Sequence, residues 1–305
     1  MCMMVLPFFL VTSERNFFVW MKILLCSSIG TVLVGDIQFV LDPHASRIAG
    51  TLPHPNILAF YMIMMIVVGF YLLKSPKSGL TAFWRRVLEI YVFNLFFLLI
   101  LTKTRNAWIA CWLMFFIYGV MQDRKYFWIS VLLPPLALLL PPVQTRIADL
   151  LPGHRASSQG ENSWDWRVHV WKDSMEWIVK KPIFGYGLMA FYFFSKDISS
   201  VISVSTGAHN TYIEVLFEMG VVGLLFFLSV FLSPLKIFWK RSRVEAKAKR
   251  WEFAWAFSYL LSYLLACFAD NMNYYLGVNW YTWFFIGLML AAAVKNIPAV
   301  QDKAA

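Results

Sequence analysis

Long apolar runs separated by short polar stretches dominate this chain. They fall at about 17–35, 57–73, 87–101, 107–121, 127–140, 210–233, 253–272 and 280–294. Runs of this length and composition are those that cross a bilayer as helices. The pattern predicts an all-α protein, a polytopic transmembrane bundle of about eight spans. Residues 1–12 are apolar but too short to span, and we expect either the remnant of a span or a chain that starts inside a longer pattern. No basic region precedes them, so they do not read as a cleavable signal. The division expected is 1–140 for the N-terminal spans, 141–209 for a long polar loop, and 210–305 for the C-terminal spans.

Inside the long loop a second pattern appears. Trp164, Val168, Trp171, Met175 and Ile178 recur at helical spacing, which predicts an amphipathic helix. Asn162 or Ser163 would cap it and Pro182 would end it. Gly185 and Gly187 then supply a turn before the apolar Phe191-Tyr192-Phe193-Phe194 stretch.

Charge orients the spans. The protein is 60% hydrophobic, 14% charged and carries a formal net charge of +10. In a soluble chain that balance would suggest nucleic acid; here the cations sit in loops between spans, so no nucleic-acid partner is expected. The loops at 74–86, 122–126 and 235–252 and the C-terminus hold fifteen Lys/Arg. The short loops at 36–56, 102–106 and 273–279 hold three. The positive-inside rule puts the first set in the cytoplasm and leaves the long loop on the other side, membrane lipid surrounding the whole. The four cysteines are scattered with no Cys/His cluster, so neither metal nor disulfide framework is indicated.

All five histidines lie on the non-cytoplasmic side in this arrangement, with Arg47, Lys103, Arg105 and Arg167. Cations kept in short external loops against the rule point to an anionic partner, and arginine's fork suits phosphate oxygens. Lys103 and Arg105 stand at the start of a span, where helix amides add to an anion site; snorkelling to lipid headgroups is the alternative. Arg167 lies between Trp164 and Trp171, facing either an indole or an anion. His54 and Asn56, after Pro53 and Pro55, read as caps of the second span. His209 opens the run HNTYIEVLFEMGVVGLLFFL as either a helix cap or a proton carrier. On one continuous helix Gly220 and Gly223 return to the face of His209, forming a strip for a close helix neighbour, while Glu214 and Glu218 fall opposite.

Several of these pieces together resemble a known family. His209-Asn210 followed by Gly220-Val221-Val222-Gly223, Thr104-Arg105 between two spans, Arg167-x-x-x-Trp171, and Lys181-Pro-x-x-Gly185-x-Gly187 resemble the signature of O-antigen ligases. The Arg47-x-x-Gly50 to Pro55-Asn56 segment looks like the upstream motif of the same superfamily, especially of its polysaccharide polymerases. The resemblance implies a multi-pass glycosyltransferase of the bacterial inner membrane with its active face in the periplasm. Its glycan donor would be linked to undecaprenyl diphosphate, and its acceptor would be lipid A-core or a growing polysaccharide. It would need no metal and no cofactor. His209 would be the catalytic base, with Arg105, Arg167, Arg47 and Lys103 binding the diphosphate. Asn210, Glu214, Glu218, Gly220 and Gly223 would support the site, either glutamate by orienting His209 or balancing an arginine. Such enzymes usually have more spans than counted here.

Two other classes compete. A transporter would carry ionisable residues deep in several spans and an internal repeat; no repeat is visible and the ionisable residues gather at one face. A non-catalytic partner in envelope assembly would tolerate loss of His209.

Overall fold

The computed structural model describes residues 2–43, 47–141, 143–144 and 163–294. His44, His154 and Asn162 lie outside the described residues. Among them every regular element is helical: α1 (Cys2–Leu10), α2 (Glu14–Cys26), α3 (Ile29–Leu41), α4 (Pro55–Lys74), α5 (Ala82–Leu101), α6 (Arg105–Met121), α7 (Arg124–Ala137), α8 (Ser163–Ile178), α9 (Ala190–Ile198), α10 (Thr211–Val244), α11 (Lys247–Ala266) and α12 (Leu276–Val294).

Among the described residues four stretches are long and apolar enough to cross a membrane: Glu14–Leu41, Pro55–Lys74, Thr211–Val244 and Leu276–Val294. The other runs read as spans form α5, α6, α7 and α11, which are shorter or carry more charge at one end. The first expected span is two helices. Ser27 and Ser28 interrupt it, turning their hydroxyls onto the Leu24 and Leu25 carbonyls and reaching Tyr281 and Tyr91 at 2.7 Å.

α4 is the axis of the bundle. Pro55 at its first position needs no amide partner, His54 caps it through Nδ1 accepting from the Asn56 amide at 3.1 Å, and Lys74 suits its last turn. Most of its side chains are buried, with α2, α5, α6, α11 and α12 around it. Trp255 of α11 donates its indole N–H to the Val67 carbonyl at 3.0 Å, so the largest fully buried side chain also satisfies its polar atom. Residues 2–10 form a helix lying on α12, where a Cβ on Gly287 would sit 2.3 Å from the Met4 carbonyl oxygen.

α6 and α7 form a tight hairpin. Pro134 in α7 has no amide to give the Ser130 carbonyl, and Trp112 of α6 supplies the missing hydrogen bond at 2.7 Å. Of the two prolines inside α7, Pro134 is thus matched by a donor on the neighbouring helix.

The 163–178 helix exists, rotated from the expected stripe. Val170, Ser174 and Ile178 are its buried line and pack towards α9 and α10. Trp164 and Met175 face outward, 50% and 40% exposed. Ser174 lies in the buried line because its hydroxyl bonds back to the Val170 carbonyl, which lets a small polar side chain pass as apolar.

Candidate functional site

The helix beginning near His209 starts two residues later than the continuous-helix reading requires. Asn210 is its cap: Oδ1 accepts from the Tyr212 and Ile213 amides at 3.0 and 3.2 Å. His209 stands before the cap with φ at 49°, in the left-handed region. The face-counting from His209 to Gly220 and Gly223 therefore does not apply.

Ala208 holds the histidine in that backbone conformation. Its amide donates to Glu214 Oε1 at 2.7 Å, and its carbonyl accepts from the Trp171 indole at 2.8 Å. Glu214 is 2% exposed, and a Cβ on Gly207 would lie 2.0 Å from Oε1, so a larger residue there would have to displace the carboxylate. Glu214 thus touches the histidine's neighbour, one turn down the helix, because the helix starts after His209.

His209 faces a carboxylate that sequence reasoning passed over. Its Nδ1 is buried and lies 3.8 Å from Asp270 Oδ1. That distance is longer than a hydrogen bond and becomes an ion pair only with the ring protonated. Asp270 is 1% exposed. It accepts from Tyr275 Oη at 2.5 Å, the Asn271 amide at 3.0 Å and Asn56 Nδ2 at 3.1 Å. Burial alone would push its carboxyl up; His209, the Tyr275 hydroxyl and the Asn271 amide outweigh burial and hold it below the ordinary value. A signal for it existed: Asp270 is a lone carboxylate at the end of the apolar 253–269 run. The carboxylates expected to serve His209 or an arginine were Glu214 and Glu218.

Arg167 belongs to the same cluster. Burial draws its guanidinium below its ordinary value, and Asp270 and Tyr275 pull the other way. Its neighbour Trp166 meets the His209 ring edge-on at 5.7 Å. Trp164 and Trp171, which flank Arg167 in sequence, pack on each other at 5.5 Å.

Arg47 is built into the scaffold. Nε donates to the Thr102 carbonyl at 2.7 Å, and Nη2 to Asn56 Oδ1 at 2.6 Å and Thr104 Oγ1 at 2.7 Å. Those bonds join the loop before α4 to the loop before α6. The neighbouring His54 is lowered from its ordinary value by burial and then by Arg47, which suits the neutral ring whose Nδ1 caps α4. Lys103, with φ at 51°, and Arg105, first residue of α6, are half-buried at the same junction. Asn106 donates to the Ala266 carbonyl at 3.0 Å, and the Thr211 amide to that of Cys267 at 2.8 Å. The N-termini of α4, α6 and α10 are thereby drawn around the loop that carries Asp270. Three helix N-termini with arginines beside them favour an anion.

Gly220 has a different job from the expected helix groove. Its φ of 63° and ψ of −166° break α10, a combination that only glycine adopts readily. The chain 182–187 crosses the break and satisfies both broken ends. Tyr186 and Gly187 amides donate to the Phe217 and Glu218 carbonyls at 3.0 and 2.8 Å. The Val221 and Val222 amides donate to Pro182 and Ile183 carbonyls at 2.8 and 3.3 Å. A Cβ on Gly220 would lie 2.2 Å from the Ile183 carbonyl oxygen, and one on Gly185 would lie 2.5 Å from that of Phe217. At Gly223 a Cβ would meet the Met219 side chain of its own helix. Glu218 takes the Tyr274 hydroxyl at 3.0 Å, away from His209.

Residues 90–228 match the family model described as O-antigen ligase. The match supports the O-antigen ligase/polymerase superfamily for that segment. No curated protein matches the chain. The matched segment spans Arg105, Arg167, the 181–187 crossing, His209 and the Gly220 break. Asp270 and Arg47 lie outside it in sequence and join it in space through His209 and Thr104.

Proposed function

We propose that this protein is a membrane glycosyltransferase. It moves a glycan from undecaprenyl diphosphate to an acceptor hydroxyl at the periplasmic face of the inner membrane. Lipid A-core is the acceptor in this reading. The observation that carries it is the His209–Asp270 pair, with Nδ1 turned to the buried carboxylate. An imidazole held that way keeps Nε2 for the acceptor proton, and the nearby anion stabilises the imidazolium that forms.

Transfer breaks the bond between the sugar's anomeric carbon and a phosphate oxygen. The acceptor oxygen forms the new bond, its proton passes to His209, and the diphosphate leaves with the bonding pair. Negative charge therefore grows on the leaving group. In this reading Arg167 and Arg105, with the helix N-termini of α6 and α10, oppose that growth. Lys103 adds a further cation at the same junction. Arg47 acts one step back, fixing the loops that present them. No step calls for a metal or cofactor.

Polymerisation of the glycan by the same chemistry is the second reading, favoured by the Arg47 to Asn56 segment. The test is reconstitution in liposomes with an undecaprenyl diphosphate-linked repeat unit, with and without lipid A-core, followed by product mass. Glycan on lipid A-core means ligase, and a ladder on the carrier means polymerase. Absence of both from folded protein would refute transfer by this chain.

A further inference from the structure

Beside the Gly220 break lies an apolar surface that the transfer chemistry does not use. Val179, Ile183, Phe184, Leu188 and Phe193 are 75%, 58%, 74%, 77% and 71% exposed. Five large apolar side chains this open, within one short stretch of chain, mark a contact surface. α9 beneath them is two-sided: Ala190, Phe191 and Ile198 are buried, while Phe193 points out.

Two observations say what covers it. The first is continuity. The hydrogen bonds from Val221 and Val222 to the Pro182 and Ile183 carbonyls set Ile183 and Phe184 directly against α10 where its apolar half begins. There Val221, Leu225 and Phe226 face outward, 47%, 62% and 71% exposed. The open surface of 179–193 and the outward surface of a helix long and apolar enough to cross a membrane are joined at the backbone. The second is the fringe. Lys180 Nζ lies 5.5 Å from the Trp177 ring centre and Lys181 Nζ 4.7 Å from that of Tyr186. Cations on amphipathic aromatic rings at the edge of an apolar face are the chemistry of a lipid headgroup zone.

We propose that residues 179–193 form a wedge seated in the lipid leaflet on the His209 side, with the apolar side chains among acyl chains and Lys180 and Lys181 at lipid phosphates. The wedge rests on α10 being a span and not on the transfer chemistry, so either can fail without the other. It ties the 182–187 crossing to the membrane surface and thereby sets the height of α8 and Arg167 above the bilayer.

The test is nitroxide depth measurement on the full chain in vesicles of phosphatidylethanolamine and phosphatidylglycerol. Cys2 and Cys26, the exposed native cysteines, are first replaced by serine. Single cysteines are then placed by Phe184→Cys, Leu188→Cys and Phe193→Cys and labelled. Leu225→Cys gives the lipid reference and Lys240→Cys the aqueous one. The expected result is oxygen collision well above that of a water-soluble nickel chelate at all three wedge sites, as at Leu225. Nickel access matching Lys240 would overturn the proposal. So would low access to both reagents, which means protein covers the surface. Spin–spin broadening that vanishes on dilution into excess lipid would also overturn it, since a second copy would then be the occupant. The three sites are independent and well exposed, so a variant that misfolds leaves two others to decide.

Discussion

Asp270→Asn is the substitution whose effect can be worked furthest from the structure. The carboxylate is buried and faces His209 Nδ1 while taking three hydrogen bonds from Tyr275, Asn271 and Asn56. The amide keeps the shape and one oxygen, so Tyr275 and Asn271 retain their acceptor. It loses the charge, and its NH2 meets the Asn56 NH2 where an oxygen stood. The lost charge stands 3.8 Å from His209 Nδ1 and matters as the pair tightens to a charged hydrogen bond in the transition state, worth about 1.5–3 kcal/mol. At about 1.4 kcal/mol per decade, turnover should fall about 10- to 150-fold. The glycan donor's affinity should change little, because Asp270 opposes rather than binds the diphosphate. The pH dependence of stability supplies a second reading. The Asp270 carboxyl sits below its ordinary value, so its contribution is present above the ordinary carboxylate pKa and is lost as pH falls through the lowered folded value. Asp270→Asn should remove that acid limb from the thermal unfolding profile. The assay is single-turnover transfer in liposomes, with unfolding followed in detergent. Turnover near wild type in a variant that has lost the acid limb would refute the orienting role.

Other outcomes follow from neighbouring contacts. Gly220→Ala forces a Cβ against the Ile183 carbonyl at a backbone angle suited to glycine, and should destabilise by at least ~1–3 kcal/mol, read as a drop in unfolding temperature. Glu214→Gln keeps an oxygen for the Ala208 amide and should retain most activity. Glu214→Ala strands that buried amide and should lower turnover more than glycan-donor affinity, which steady-state kinetics would separate. Arg47→Ala removes the close donor to the Thr102 carbonyl and Asn56 Oδ1, leaving the Thr104 hydroxyl, 3.3 Å from each, to serve both, and should cost about 1–3 kcal/mol of stability, measured by chemical denaturation; unchanged stability would sink the scaffold role.

Much of the fold follows from patterns that local physics enforces. The apolar runs become helices; Asn210 marks one start by accepting from two free amides, and Pro55 another by having no amide to satisfy. What sequence could not show are contacts between distant segments. The Gly220 break is invisible to a periodicity count, because a helix that bends keeps its apolar composition on both sides. Its glycine was legible as unusual, and its partner, the Gly185 crossing, was not legible as such. The α8 stripe shifted because Ser174 hides its hydroxyl on the helix backbone while Trp164 remains open. Asp270 was missed for a related reason: its role is fixed by Asn56, 214 residues away, and by His209.

The most direct measurement is transfer by His209→Ala beside wild type, with glycan-donor affinity measured on the same liposomes. A positioned general base is worth about 10²- to 10⁴-fold, so single-turnover transfer should fall by that factor while the undecaprenyl diphosphate-linked glycan binds as before. Transfer at the wild-type rate by folded His209→Ala would contradict the assignment of His209, and with it the reading of the Asp270 pair.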